Sequence, residues 1–175
     1  MIKKNLTLLA FTLIEPLVVV AIIGILAAVG VVAYNGYTAS AKKSAAQSQH
    51  KTIVKFIQSE ILKCSIGQEI ILKKISSNTI VDQPDLCPKV TNINTGNNSY
   101  DVISAFDYHF KAIDLRNVYY PQWFASSTCS VSGSTVYNNN GQGGGTCITR
   151  QQNNEIIVGT NITASQSLIS KFNID

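Results

Sequence analysis

Charge is missing from a long stretch of this sequence: no Asp, Glu, Lys or Arg occurs between Pro16 and Ala41. Proline is missing for longer, from Leu17 to Gln83. The first absence excludes an ordinary water-facing helix there, and the second removes any obligatory helix break. Histidine is scarce, with only His50 and His109, and neither stands beside a cysteine. The four cysteines, Cys64, Cys87, Cys129 and Cys147, contain no Cys-x-x-Cys pair, so the ligand spacing of a structural zinc site is lacking. No spacing suggests a nucleophile beside a histidine and a carboxylate, and the sequence gives no reason to expect a catalytic residue, a metal or a cofactor. The glycine-rich run Asn138–Gly145 lacks the Lys-Ser/Thr ending of a phosphate loop and is expected to join two strands. A formal charge of +4 over 175 residues is too small to argue for nucleic acid or an anionic membrane. These absences point away from an enzyme.

What is present begins with Leu17 to Tyr34, LVVVAIIGILAAVGVVAY, eighteen residues without charge. At ~1.5 Å per residue such a helix is about 27 Å long, close to the ~30 Å hydrocarbon core of a bilayer. A single carboxylate, Glu15, stands at its head. Charged residues within such a segment are unfavourable, by roughly 2.5 to 3.5 kcal/mol for Asp, Lys or Arg at the centre of the span. Spanning a membrane does not require Glu15, so a partner for it is expected. Upstream, Lys3 and Lys4 form a basic start and the small Ala10 precedes Phe11. A cut between Ala10 and Phe11 would create an α-amine four residues from Glu15. In a packed array of identical helices, Glu15 of one subunit would meet the amine of another and set their stagger. An ordinary secretory signal ending at Val31-Val32-Ala33 and a plain single-pass anchor are the two blander readings.

Ala10-Phe11-Thr12-Leu13-Ile14-Glu15, followed by Leu17 through Ala28, resembles the N-terminal class III signal of type IV pilins and type II secretion pseudopilins. The resemblance covers residues 10 to 37 and includes Tyr34 and Tyr37. It implies that a prepilin peptidase cuts before Phe11 on the cytoplasmic side and methylates the new N-terminus. It also implies storage in the bacterial inner membrane as a single-pass protein, then polymerisation into an extracellular fibre by the pilus assembly machinery. Three positions depart from the family pattern. Ala10 stands where Gly is usual, Pro16 follows the glutamate, and Val32 replaces a frequent kinking proline. Proline is favoured at the first position of a helix, so Glu15 is expected either as its cap or near the helix start, with Phe11 to Ile14 extended. Gly24 and Gly30 lie inside the apolar run and would serve either close helix packing or a segment that stretches.

In a chain read as exported, an even number of cysteines favours two disulfides, and nearest-neighbour pairing gives Cys64–Cys87 and Cys129–Cys147. The organisation expected is a leader over 1–10, a membrane and polymerisation helix over 11–38, an amphipathic helix over 39–63, and a disulfide-containing head over 64–175. The amphipathic helix carries Ile53, Ile57 and Ile61, extended by Leu62, with the charged residues and His50 off that stripe. Residues 64–98 read as connector. A second helix is expected over Tyr100–Ile113 with Ser99 as cap, its apolar face formed by Val102, Ile103, Phe106, Phe110 and Ile113. Arg116, Tyr119, Tyr120 and Trp123 can be read as a nucleic-acid surface or as packing against the long helix, and packing is expected. One strand around Ser130–Tyr137 and a hairpin of Thr146–Arg150 with Glu155–Val158 complete a small antiparallel sheet. The fold class is α+β, type IV pilin-like. The function expected is a structural subunit of a pilus-like surface fibre, forming a homopolymer. The alternatives are a secretion or competence pseudopilin and, outside the family, a membrane-anchored binding domain. Nucleic acid as a partner has no motif behind it. Asn97-Asn98-Ser99 and Asn161-Ile162-Thr163 match the glycan acceptor pattern by sequence.

Overall fold

The structure, a computed structural model, describes residues 13–132, 135–138, 143–150, 155–163 and 166–174. It divides into two compact units, one ending at Ser40 and the other spanning Ala41–Asp175. Helix α1 runs from Ile14 to Ser65 and contributes residues to both. Ile14, expected to be extended, is helical; Glu15 stands near the helix start, as its second residue rather than its cap, and Pro16 is the third. A proline fits there because the first four N–H groups of a helix have no partner within it. Ala10 and Phe11 lie outside the described residues. Gly67, at φ +74°, ends α1. Its N–H donates to the Cys64 carbonyl (3.2 Å), and Gln68 N–H reaches back to the Lys63 carbonyl (2.9 Å). This is the glycine-dependent stop that a left-handed residue permits.

In the second unit, α1 buries Ala46, His50, Ile53, Ile57 and Glu60. These lie at successive steps of four and three residues, which follows one face of a 3.6-residue helix. The expected stripe stepped by four alone and drifted around the helix. Ile61 is accordingly only half-buried and Leu62 is exposed, while two residues assigned to the polar face are covered.

The stretch read as connector holds three elements. Strands β1 (Lys73–Ser76) and β2 (Thr79–Asp82) form a hairpin, with Ser76 paired to Thr79. Its two turn residues, Ser77 and Asn78, both have positive φ, as a tight hairpin turn requires. Helix α2 spans Cys87–Thr91. Asp85 organises its approach, accepting from the N–H groups of Ile70 (2.9 Å) and Cys87 (3.1 Å). Helix α3 spans Asn98–Ala112. Its cap position is Asn97, so Ser99 lies within the first turn, and Ile113 is exposed beyond the last.

The remaining strands are β3 (Ser126–Ser132), β4 (Thr135–Asn138), β5 (Thr146–Arg150), β6 (Glu155–Thr163) and β7 (Gln166–Asn173). They form one sheet in the order β4-β3-β5-β6-β7. The single strand expected over Ser130–Tyr137 is instead a hairpin with Val131 opposite Val136. The sheet is not wholly antiparallel, because β3 runs parallel to β5 through Ser126 opposite Thr146. β5 and β6 pair as the hairpin expected from sequence, and the intervening 151–154 lie outside the described residues. β4 and β6 are separated by two strands in the order, yet Val136 of β4 approaches Gly159 of β6. The curl covers β6 on both faces, which is why five consecutive residues, Ile156–Thr160, are buried rather than alternating.

Core residues from the helices are Ile53 and Ile57 of α1 with Val102, Phe106 and Phe110 of α3. They meet Ile148, Ile156 and Val158 of the sheet. Phe56 adds edge contacts to Phe106 and Phe110, at centroid distances of 6.4 and 5.5 Å.

Candidate functional site

Every residue from Leu13 to Tyr37 is exposed. The apolar side chains point to all sides of α1: Leu17 is 68% accessible, Ile25 66% and Val32 74%. A helix apolar all round is stable when something other than water surrounds it. α1 is long and apolar enough to cross a membrane. A Cβ added at Gly24 or Gly30 would meet nothing within 4 Å. The small size of these glycines therefore answers no contact among the described residues. Glu15 is the only ionised side chain on this stretch, and it is exposed. It is linked by no hydrogen bond or ion pair to another described residue. The amine proposed as its partner begins at Phe11, outside the described residues.

Two disulfides brace the second unit. Cys64, in the last turn of α1, is bonded to Cys87 at the start of α2, with Cα atoms 5.3 Å apart. Cys129 of β3 is bonded to Cys147 of β5 (Cα–Cα 5.6 Å), tying the parallel pair.

The two histidines are structural in different ways. His50 is buried between α1 and the sheet. Its Nδ1 lies 2.8 Å from Thr160 Oγ1 and its Nε2 lies 2.8 Å from Ser170 Oγ. Thr160 Oγ1 is also 2.7 Å from Thr146 Oγ1, so one polar chain links α1 to β5, β6 and β7. Burial lowers the His50 pKa from its ordinary value. His109 stacks on Phe56 with centroids 4.9 Å apart, and its Nδ1 accepts the Lys73 N–H at 3.1 Å. Burial also lowers the His109 pKa; Glu60 opposes that shift and Lys73 adds to it. The sequence signal for His50 was its place between Ala46 and Ile53 on the buried face, obscured because histidine reads as polar.

The aromatic segment is not part of the core: Tyr119 and Tyr120 are half-buried, and Arg116 and Trp123 are exposed. Tyr119 donates its hydroxyl to the Ile162 carbonyl at 2.7 Å, and burial raises its pKa. Asn117 Oδ1 accepts the N–H groups of Tyr119 (2.8 Å) and Tyr120 (3.1 Å). Tyr120 and Trp123 pack together, and the Arg116 guanidinium lies over Phe124. Two links reach α1: Gln49 donates to the Arg116 carbonyl (2.9 Å), and Lys42 sits over the Tyr119 ring. These contacts account for the residues as packing.

Clefts open among the described residues of this unit. One of about 570 Å³ is lined by Ile61, Leu62, Val90, Phe172 and Ile174, beside Cys64. Another of about 380 Å³ lies between α3 and the β1–β2 region, where the Lys89–Asp101 ion pair sits near Tyr100 and Tyr108. Neither brings together a nucleophile and a base. Among the described residues, no group of three His, Cys, Asp or Glu is placed to hold a metal. Comparison with protein-family models, curated proteins and solved structures finds no match for this chain.

Proposed function

We propose that this protein is a structural subunit of a type IV pilus-like surface fibre, held in the bacterial inner membrane by α1 and polymerised through it. The single observation that carries the reading is the continuous exposed apolar surface of α1 from Leu17 to Val32, headed by one carboxylate at Glu15. Such a surface is suited first to lipid and then to the α1 helices of identical subunits. In the second setting, Glu15 pairs with the Phe11 amine of a neighbour. The open positions beside Gly24 and Gly30 suit close helix approach. Two disulfides suit a head that works outside the cytoplasm. The sequence Ala10–Glu15 supports prepilin peptidase as the processing partner and the pilus machinery as the assembly partner.

The test is mass spectrometry of the mature protein from the membrane fraction and from fibres sheared off the cell. The expected outcome is a chain starting at a methylated Phe11 in both fractions. A mature start near Ala33 or Tyr34 would replace the proposal with ordinary secretion. An uncut chain confined to the membrane would make it a membrane-anchored domain. A correctly cut chain absent from sheared fibres would favour the pseudopilin alternative.

A further inference from the structure

The His50 cluster has a geometry that the fibre reading does not use. Beside the apolar contacts of Ile53 and Ile57, α1 meets the sheet through an imidazole that bridges two strands at once, Thr160 of β6 and Ser170 of β7, each at 2.8 Å. His50 is 4% accessible and Thr160 0%. Thr146 of β5, also 0% accessible, continues the chain through Thr160. Neutral imidazole has one donor and one acceptor nitrogen, which suits a run of hydroxyls that each give and take one hydrogen.

We propose that His50 is an acid-sensitive latch between α1 and the β6–β7 ribbon, closed when the imidazole is neutral and loosened when it takes up a proton. The polar groups at its two nitrogens are hydroxyls: Thr160 and Ser170 directly, Thr146 at one remove. None is titratable in this range, and among the described residues no carboxylate is bonded or paired to it. On α1, Lys51 is exposed and Lys43 is two turns earlier. On the strands, Arg150 donates to the Ile93 carbonyl, and Lys171 and Glu155 pair with each other. A proton on His50 leaves the hydroxyls able to accept from both nitrogens, so hydrogen bonds are not what is lost. The cost is a cation enclosed without a counter-charge. Burial as the cause of the lowered pKa agrees with this geometry.

The sign follows from linkage. The unfolded chain binds a proton at His50 near pH 6.5, while the folded chain resists it until lower pH. The latch is therefore at full strength above about pH 6.5 and weakens as pH falls through that value toward the folded pKa.

The experiment uses the full chain in detergent micelles. NMR titration of the wild-type imidazole should show His50 titrating below histidine in the unfolded chain. Hydrogen exchange at pH 7 and pH 5, corrected for the intrinsic pH dependence, should show protection falling at Ala46–Ile57 and across β6 and β7. In His50→Gln, whose amide keeps one donor and one acceptor, this pH-dependent difference across β6 and β7 should vanish. A His50 that titrates at or above pH 6.5 would overturn the proposal. So would acid loosening that is uniform across the head, or that persists unchanged in His50→Gln. The wild-type titration and exchange decide the matter even if the variant folds poorly.

Discussion

Val136 of β4 stands over Gly159 of β6 so closely that a methyl group added at Gly159 would lie 2.5 Å from Val136 Cγ2. The curl of the sheet is thus keyed to one missing side chain. Gly159→Ala should destabilise the head by about 1–3 kcal/mol, the range for overpacking a fitted interior. Val136→Ala should also destabilise, by opening a cavity. The double variant Gly159→Ala with Val136→Ala should be more stable than the sum of the two single changes predicts, because the clash is relieved. Chemical denaturation of the four proteins measures the coupling. Strict additivity would mean that the hairpin shifts aside freely and that the close approach does not define the curl.

The disulfides should differ in what their loss exposes. Cys64→Ser with Cys87→Ser unlinks α2 from the end of α1, and Cys129→Ser with Cys147→Ser unlinks β3 from β5. Each pair closes a loop of similar length, with sequence separations of 23 and 18, so each removal should cost about 2–5 kcal/mol. Hydrogen exchange should then show loosening around Cys87–Thr91 in the first variant and around β3 in the second. Peptide mapping without reductant gives the direct check on the pairing. A Cys87–Cys129 link would contradict it.

Some parts of this fold could be read in the chain and others could not, for identifiable reasons. The apolar half of α1 was legible because nothing competes with a charge-free run. The β5–β6 hairpin was legible because two β-rich segments flank a polar loop. The hairpin β1–β2 was missed because Ser77-Asn78 is a weak turn signal beside Asn-Gly or Asp-Gly, and its strands are short and exposed. The parallel β3–β5 contact was not legible, since no local pattern reports which strand a chain returns to. His50 and Glu60 were placed on the wrong face because composition was allowed to override periodicity. Both are covered: His50 meets hydroxyls, and Glu60 meets Lys63 at 2.7 Å. At the head of α1, Glu15 stood out by its charge alone.

His109 offers a pH test with opposing neighbours. Its Nδ1 accepts the Lys73 N–H, so the neutral ring should carry its proton on Nε2, visible in nitrogen chemical shifts. Its pKa is lowered by burial and by Lys73, and raised toward normal by Glu60. Glu60→Gln should therefore lower it further, and a charge-removing Lys73→Gln should raise it. Because the folded pKa lies below the unfolded one, His109 contributes a loss of stability as pH falls below about 6.5. Glu60→Gln should steepen that loss. A His109 pKa that rises in Glu60→Gln would show that the carboxylate does not act on the ring as its position suggests.

Glu15 carries the sharpest consequence of the fibre proposal. It stands at the second residue of α1, exposed, ahead of a surface with no other charge before Lys42. Glu15→Ala removes a group that disfavours insertion, so the protein should still enter the membrane. The head lies far along the chain and should keep both disulfides. Cleavage before Phe11 should persist, since the substituted residue follows the cut. Fibres should be absent or irregular, because the charge that pairs with a neighbouring amine and fixes the stagger is gone. Immunoblots of membrane and sheared fractions, with electron microscopy of the latter, read this out. Pro16→Leu is the companion control. The third residue of a helix needs no N–H partner, so restoring that N–H should leave the helix start and the fibre unchanged. Normal fibres from Glu15→Ala would mean that the packing of Leu17–Val32 sets the register by itself, and the carboxylate would then need another explanation.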